Sequence, residues 1–396
     1  GRAAGAWPRR RAPPVVAGRG GDARVTPPVP SLPPLRFQPA RDSAFRRELR
    51  ARADAYLAAE GKHRFGDWRL HVKTVFLAAL TAGLYALALS AGSTWPFVAS
   101  YVACLVAAMA LAMNTLHDAA HSAVFRQGLL NRILIRLVSL PVGVDTDFWT
   151  IRHVHFHHTY ANVEGYDLDT EPNPFLRQTP FQRWSPQYRY QYLYWPVVAA
   201  LSLPYLNWYG DWLDRFGKTP VAAHSRLQGW RGWLSFLGWK LGHVALVLAL
   251  PMWVLQQHGI AWGVVLGAYF VGQMLASCAL VALILGTHWA EVEFFQPGQD
   301  GTLPHDWYQH TFYTACDWTP KPRALRWLGY WLGGLNLHLT HHLFPTWSHR
   351  HYPALARILA ELAPRHGLVY RELGYGQLHA SQQAFLRAMG QPPTQS

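Results

Sequence analysis

Residues 152–169, RHVHFHHTYANVEGYDLD, decide how the rest of this chain is read. They place four histidines, His153, His155, His157 and His158, within six residues, and follow them with Glu164, Asp167 and Asp169. A buried imidazole must have its ring nitrogens satisfied, so an ordinary core has little use for four of them side by side. A metal ion does have a use for them.

Two further clusters repeat the pattern. His117 and His121 bracket HDAAH, and His338, His341 and His342 lie in HLTHH. On an α-helix a spacing of four puts both rings on one face. The same geometry has His153 and His157 share a face, with His158 turned by about 100° toward a second metal. The third cluster gathers its three rings on one side. A lone HxxxH is weak evidence, but eight histidines in three such clusters are poorly explained as separate core or surface rings.

Working outward, composition points to an all-α integral membrane protein. Half the residues are hydrophobic and 15% are charged, against about 25% charged in soluble domains. The 19 Trp and 18 Tyr suit rings anchored at membrane interfaces. Residues 74–91, 95–113, 233–255 and 262–287 are apolar runs, each close to the roughly 20 residues that a bilayer needs. The first two are separated only by residues 92–94, which predicts a helical hairpin, and the last two predict a second one. Lys240, inside the third run, is expected to snorkel to the interface. Residues 192–208, interrupted by Pro196 and Pro204, are read as interfacial or re-entrant, because one more crossing would strand the third cluster on the far side.

Residues 114–231 carry eleven Lys and Arg, and the short turns at 92–94 and 256–261 carry none. By the positive-inside rule both termini and all three clusters are cytoplasmic. The expected architecture is therefore four transmembrane helices in two hairpins under a cytoplasmic helical cap that carries the histidines. Residues 1–40, rich in Pro and Arg, are expected to be a disordered tail. Residues 41–385 form one domain and 386–396 a flexible C-terminus. Residues 43–60 read as a basic amphipathic helix suited to an anionic leaflet.

The net charge of +14 does not indicate nucleic acid, since the chain through Arg36 alone holds seven arginines and one acid, and no nucleic-acid motif is present. Cys104, Cys278 and Cys316 are too scattered for a disulfide framework or a zinc ribbon. Imidazole suits iron, copper, zinc and nickel. Eight or nine nitrogen ligands exceed the four of a tetrahedral zinc site and suit two ions. Asp118, Glu164, Asp167, Asp169 and Glu291 are candidates to orient the rings.

HDAAH, RHVHFHHTYANVEGYD and GGLNLHLTHHLFP together resemble the three histidine boxes of membrane fatty acid desaturases, from about Ser43 to Arg371. The flanking residues most resemble the acyl-lipid or linoleoyl-CoA desaturase-like group. The resemblance implies a di-iron centre of two non-haem iron ions on His117, His121, His153, His157, His158, His338, His341 and His342. It adds His288, directly after the fourth span, and sets aside His155, which falls at a variable position. It also implies O2 as co-substrate and a cis double bond formed in a long acyl chain, carried as acyl-lipid or acyl-CoA. Electrons would come from a separate donor such as ferredoxin, rubredoxin or cytochrome b5. His338 stands where desaturases fused to cytochrome b5 usually carry Gln, and there is no HPGG haem signature. His305, His310, His349 and His351 are taken as supporting or core residues.

Two other functions compete. A hydroxylase on the same scaffold would share every motif. A histidine-rich metal transporter would place ionisable groups along the spans, where His243 and Gln273 join Lys240 as the few polar residues.

Overall fold

The computed structural model describes residues 32–38, 44–321 and 323–393. Helix α1 (Ala44–Ala59) leads into two long apolar helices, α2 (Trp68–Leu89) and α3 (Thr94–Ala120). After α4 (Gly128–Ser139) and α5 (Gln191–Tyr205) come two more, α6 (Gly229–Gln256) and α7 (Trp262–His288). The cap continues with α8 (Trp307–Thr314), α9 (His338–Leu343), α10 (Tyr352–Leu362) and α11 (Tyr375–Met389). Two short parallel pairs add the only strands among the described residues. They are β1 (Arg36–Phe37) with β2 (Thr302–Leu303), and β3 (Asp317–Thr319) with β4 (Glu372–Gly374).

The apolar runs are helical throughout, with π turns at Ala112–Leu116 and Ala245–Ala249. Asp67 caps α2 by accepting from the Leu70 N–H at 3.1 Å. Helices α2, α3, α6 and α7 are long and apolar enough to cross a bilayer. Of these α3 is the inner one, with 56% of its apolar window buried against 22% for α2. Val75, Leu87, Leu241 and Trp253 are exposed on the outer helices, an apolar flank suited to lipid. Helix α7 can lie against α3 because residue 272 is glycine: a Cβ there would come within 2.5 Å of Leu105 Cδ1. Where α6 widens into a π turn at Ala245–Ala249, the Tyr85 and Tyr101 hydroxyls donate to the Leu246 and Val247 carbonyls.

Several expectations are corrected. Lys240 does not snorkel. It is buried, and its ammonium donates to Asp211 Oδ2 and Asn207 Oδ1 (2.7 Å each) and to the Asn207 and Gly143 carbonyls (2.7 and 2.8 Å). An anion and three dipoles hold it more firmly than a distant interface could. The reading of residues 192–208 as not spanning is kept: they are not among the helices long and apolar enough to cross a bilayer. They are helical and run antiparallel to α7, with Ser277 bonded to Ala199 and Leu203, and Tyr269 to Asn207 and Trp208. Helix α1 turns its apolar face, Phe45, Leu49 and Ala53, inward to Phe312, Leu355 and Leu359 of the cap, so that face is not free for a leaflet. The tail boundary also moves. Leu35 is buried and Arg36–Phe37 pair with β2, while the disorder expected for residues 1–31 concerns residues outside those described. At the other end α11 continues to Met389 with Leu386 fully buried, so packing extends past residue 385.

Truncating Lys240 to Ala leaves the Asp211 carboxylate buried without its cation, which costs about 3–5 kcal/mol. Thermal unfolding in detergent should show that loss, and Lys240→Met combined with Asp211→Leu should recover part of it.

Candidate metal centre

Helix α3 ends in a π turn, Ala112–Leu116, followed at once by His117 and His121. Residues Ile151–His157 are also π-helical. A π-helix closes its turn over roughly 4 to 5 residues, so His153, His157 and His158 all come round to the same side. Helix α9 brings His338, His341 and His342, all buried, from the opposite direction. His288 closes the site from the end of α7.

Eight of the nine rings divide into two sets. His117, His121, His153 and His341 form one; His157, His288, His338 and His342 form the other. Within each set the ligand nitrogens lie within 4.8 Å of one another. His153 and His157 each join one of these sets, yet the two also lie within 4.8 Å of each other and of Asp169, and His341 parts from its neighbours in α9. His158 lies between the sets, with its Nε2 at 3.1 Å from His153 Nε2 and 2.9 Å from His341 Nε2.

These separations suit cations. An ion about 2.0–2.1 Å from each ring nitrogen places its ligands about 3 to 4 Å apart. His117 and His153 approach at 3.1 Å through Nε2, and His338 and His342 at 3.2 Å. The Nε2 atoms of His117, His153, His158 and His341 form a continuous chain that protons alone satisfy poorly. The Nε2 atoms of His121 and His288 are buried with no partner. Burial holds His153, His158, His338, His341 and His342 well below the ordinary imidazole range, so their lone pairs are available. The residues present fit two metal ions.

The fatty acid desaturase family profile matches residues 93–374, which hold all nine of these histidines. The chain belongs to the fatty acid desaturase family. It is similar to the sn-1 linoleoyl-lipid 6-desaturase of Synechocystis sp., 30% identical over 360 residues that span 87% of this chain and 95% of the relative. The enzyme of the same name from Arthrospira platensis is 27% identical, over 82% of this chain and 87% of its own length. An acyl-lipid (8-3)-desaturase from Mortierella alpina is 24% identical, over 89% and 79%. The protein is thus an oxidoreductase, a membrane fatty acid desaturase.

The desaturase fixes its rings through their outer nitrogens. His288 donates from Nδ1 to the Thr314 carbonyl at 2.8 Å, which leaves Nε2 as the lone pair facing His157 and His338. His157 donates from Nδ1 to Asp167 at 3.1 Å. Burial opposes charge on this ring, but the Asp167 and Asp169 carboxylates raise its pKa to about 9. His341 Nδ1 meets the Tyr352 hydroxyl at 2.8 Å. The Trp307 indole donates to the His158 carbonyl at 3.2 Å, and the Trp149 ring stacks on His153.

Of the five candidate carboxylates, Asp167 orients a ring directly, and Asp169 Oδ2 lies 3.5 Å from His157 Nδ1. Asp118 instead accepts from Ser348 and His349. Glu164 is bonded to Gln296 and Glu291 is exposed, so neither orients a ring. His155 points away and packs on His224 at 4.1 Å. Asp317, fully buried, was not anticipated. It accepts from the Thr340 N–H at 3.1 Å, the Thr340 hydroxyl at 2.5 Å and the Tyr370 hydroxyl at 2.7 Å, which holds α9 in place. Burial raises its pKa to about 6, against those hydrogen bonds. Its one cue in sequence is an acid inside the otherwise charge-free ACDWT.

Asp167→Asn should weaken metal binding by about 10–100-fold, read as metal per protein after dialysis against graded chelator. His155→Ala should leave metal content unchanged.

Proposed function

We propose that this desaturase introduces a cis double bond into a long acyl chain of a glycerolipid, using O2 and two iron ions held by the two histidine sets. One observation carries the reading: nine imidazoles from segments up to 225 residues apart converge at the ends of two long apolar helices, α3 and α7. The relatives, acyl-lipid and linoleoyl-lipid desaturases, favour acyl-lipid over acyl-CoA as the substrate class.

The electron balance determines what else is needed. Loss of two hydrogens from adjacent methylenes supplies two of the four electrons that take O2 to water. A one-electron donor such as ferredoxin, rubredoxin or cytochrome b5 supplies the other two, and solvent supplies two protons. An unactivated C–H bond cannot be broken by a side-chain base, so the iron, when bound, supplies the oxidising chemistry. The chain's own residues supply orientation. Thr314, Asp167 and Tyr352 hold three rings by their outer nitrogens, so the inner nitrogens stay aimed at the centre. The apolar residues Met109, Leu111, Met113 and Leu116 of α3 form one buried cluster directly before the first histidines, which keeps bulk water from that side.

In the membrane, α2 with α3 and α6 with α7 form two hairpins that each cross and return. Both termini and the histidines then lie on the cytoplasmic side, in keeping with the Lys and Arg of residues 114–231 and the uncharged turns opposite. Among the described residues the folded unit runs over 44–321 and 323–389, with residues 32–38 packed onto it. Its basic face suits an acidic electron donor. Transport of metal is less well supported. His243 is tied to the Leu140 carbonyl and the Tyr269 hydroxyl, and Lys240 to Asp211, so these polar groups within the spans are engaged with the protein itself.

Expression in a host of known lipid profile, with the donor supplied, should yield acyl chains lighter by two hydrogens. Chains heavier by one oxygen would identify a hydroxylase instead. His341→Ala should abolish activity and lower bound iron; full activity would refute the metal assignment.

A further inference from the structure

We propose that Lys73, His349 and Asp118 form a charge relay that positions His117 and sets the reduction potential of the ion held by the first histidine set. The relay rests on the two-iron reading above and extends it to residues outside the three boxes.

Lys73 enters from α2 and is 2% exposed. Its ammonium donates to the Tyr330 carbonyl and to His349 Nε2, both at 2.8 Å, and lies over the Tyr330 ring at 4.4 Å. An ammonium can only donate, so His349 Nε2 is the lone pair and Nδ1 carries the proton. That proton points to Asp118 Oδ2 at 3.0 Å. The same oxygen accepts from the His349 N–H at 3.1 Å and the Ser348 hydroxyl at 2.9 Å. Asp118 is 1% exposed and its other oxygen, Oδ1, has no partner. It lies 4.0 Å from His117 Nδ1, which is also buried and without a partner.

Two orphaned atoms of opposite character therefore face each other beside the metal set. A metal-bound imidazole ordinarily donates its outer N–H to such a carboxylate, and the His117–Asp118 gap needs to close by about 1 Å for a normal hydrogen bond. The remaining lone pairs of Asp118 are occupied by the segment after the third box, which is pinned in turn by Arg350 to Asp67 at 3.0 and 3.1 Å. Arg350 and Asp67 compensate each other, and Lys73 compensates Asp118 through the His349 ring. The carboxylate can thus be buried beside the rings without an unpaired charge.

Fixed charges at this distance act on the ion in opposite directions. The carboxylate stabilises the more positive, oxidised ion, and the ammonium partly cancels that effect. Lys73→Gln keeps donors for His349 and Tyr330 but removes the charge, so it should lower the reduction potential. Asp118→Asn is isosteric and should raise it, while weakening metal retention by the first set about 10–100-fold. Lys73→Arg restores the charge and should return the potential to the wild-type value.

The experiment is a spectroscopically monitored redox titration of the purified, iron-loaded proteins in detergent, with iron per protein and thermal stability measured alongside. Opposite shifts for Lys73→Gln and Asp118→Asn support the relay; shifts of the same sign, or none, overturn it and leave a purely structural contact. If Asp118→Asn does not fold, the Lys73→Gln and Lys73→Arg pair decides, since equal potentials in the two overturn the relay. A wild-type protein that fails to take up two irons overturns the metal reading instead, and that outcome is distinct from failure of the relay.

Discussion

Nine imidazoles buried against one another, with ring nitrogens about 3 Å apart, set the terms for the rest of this protein. Neutral rings so arranged cannot all be satisfied by protons, because each has one donor and one acceptor and the inward nitrogens face other lone pairs. Cations resolve the conflict, and the fold holds the rings in place for them. The outer nitrogens of His157, His288 and His341 are engaged by a carboxylate, a carbonyl and a hydroxyl. With those bonds made, each ring has one direction left to point.

The surrounding structure holds three distant segments to one place. Helix α3 is the most enclosed of the long helices and delivers His117 and His121, while α7 packs against it at Gly272 and delivers His288. Helix α9 is held by Asp317, and the residues that follow it by Asp118 and Asp67. Lys240 and Asp211 are a second buried pair, tying α6 to the loop that leads into the second cluster. Electrostatics here does not add stability so much as specify which elements meet, since each buried charge is held by groups from other elements.

The parts that were legible in sequence rest on strong local signals. Apolar runs of bilayer length identify four helices, and clustered histidines identify the site, because neither pattern has a cheap alternative explanation. Reading failed where the backbone departed from ideal geometry or a partner came from far away. The helical wheel gave His153 and His157 a shared face, but not that His117, His121 and His341 meet the first ring while His288, His338 and His342 meet the second. Lys240 looked like an interfacial lysine because Asp211, its counterion, lies 29 residues away on another element. The amphipathic face of α1 looked like a membrane surface because an apolar stripe looks the same whether lipid or cap residues cover it.

Sequence alone determined the class of the protein, the number of long apolar helices and the identity of the clustered histidines. These follow from composition and short-range spacing, which any local stretch of chain displays. Only the tertiary structure decided how eight of the nine rings divide into two sets, which groups hold their outer nitrogens, and that Lys73 and His349 reach Asp118. Those are contacts between residues up to 276 positions apart, and their geometry depends on how helices pack and where they widen into π turns. Periodicity along one helix carries no record of either.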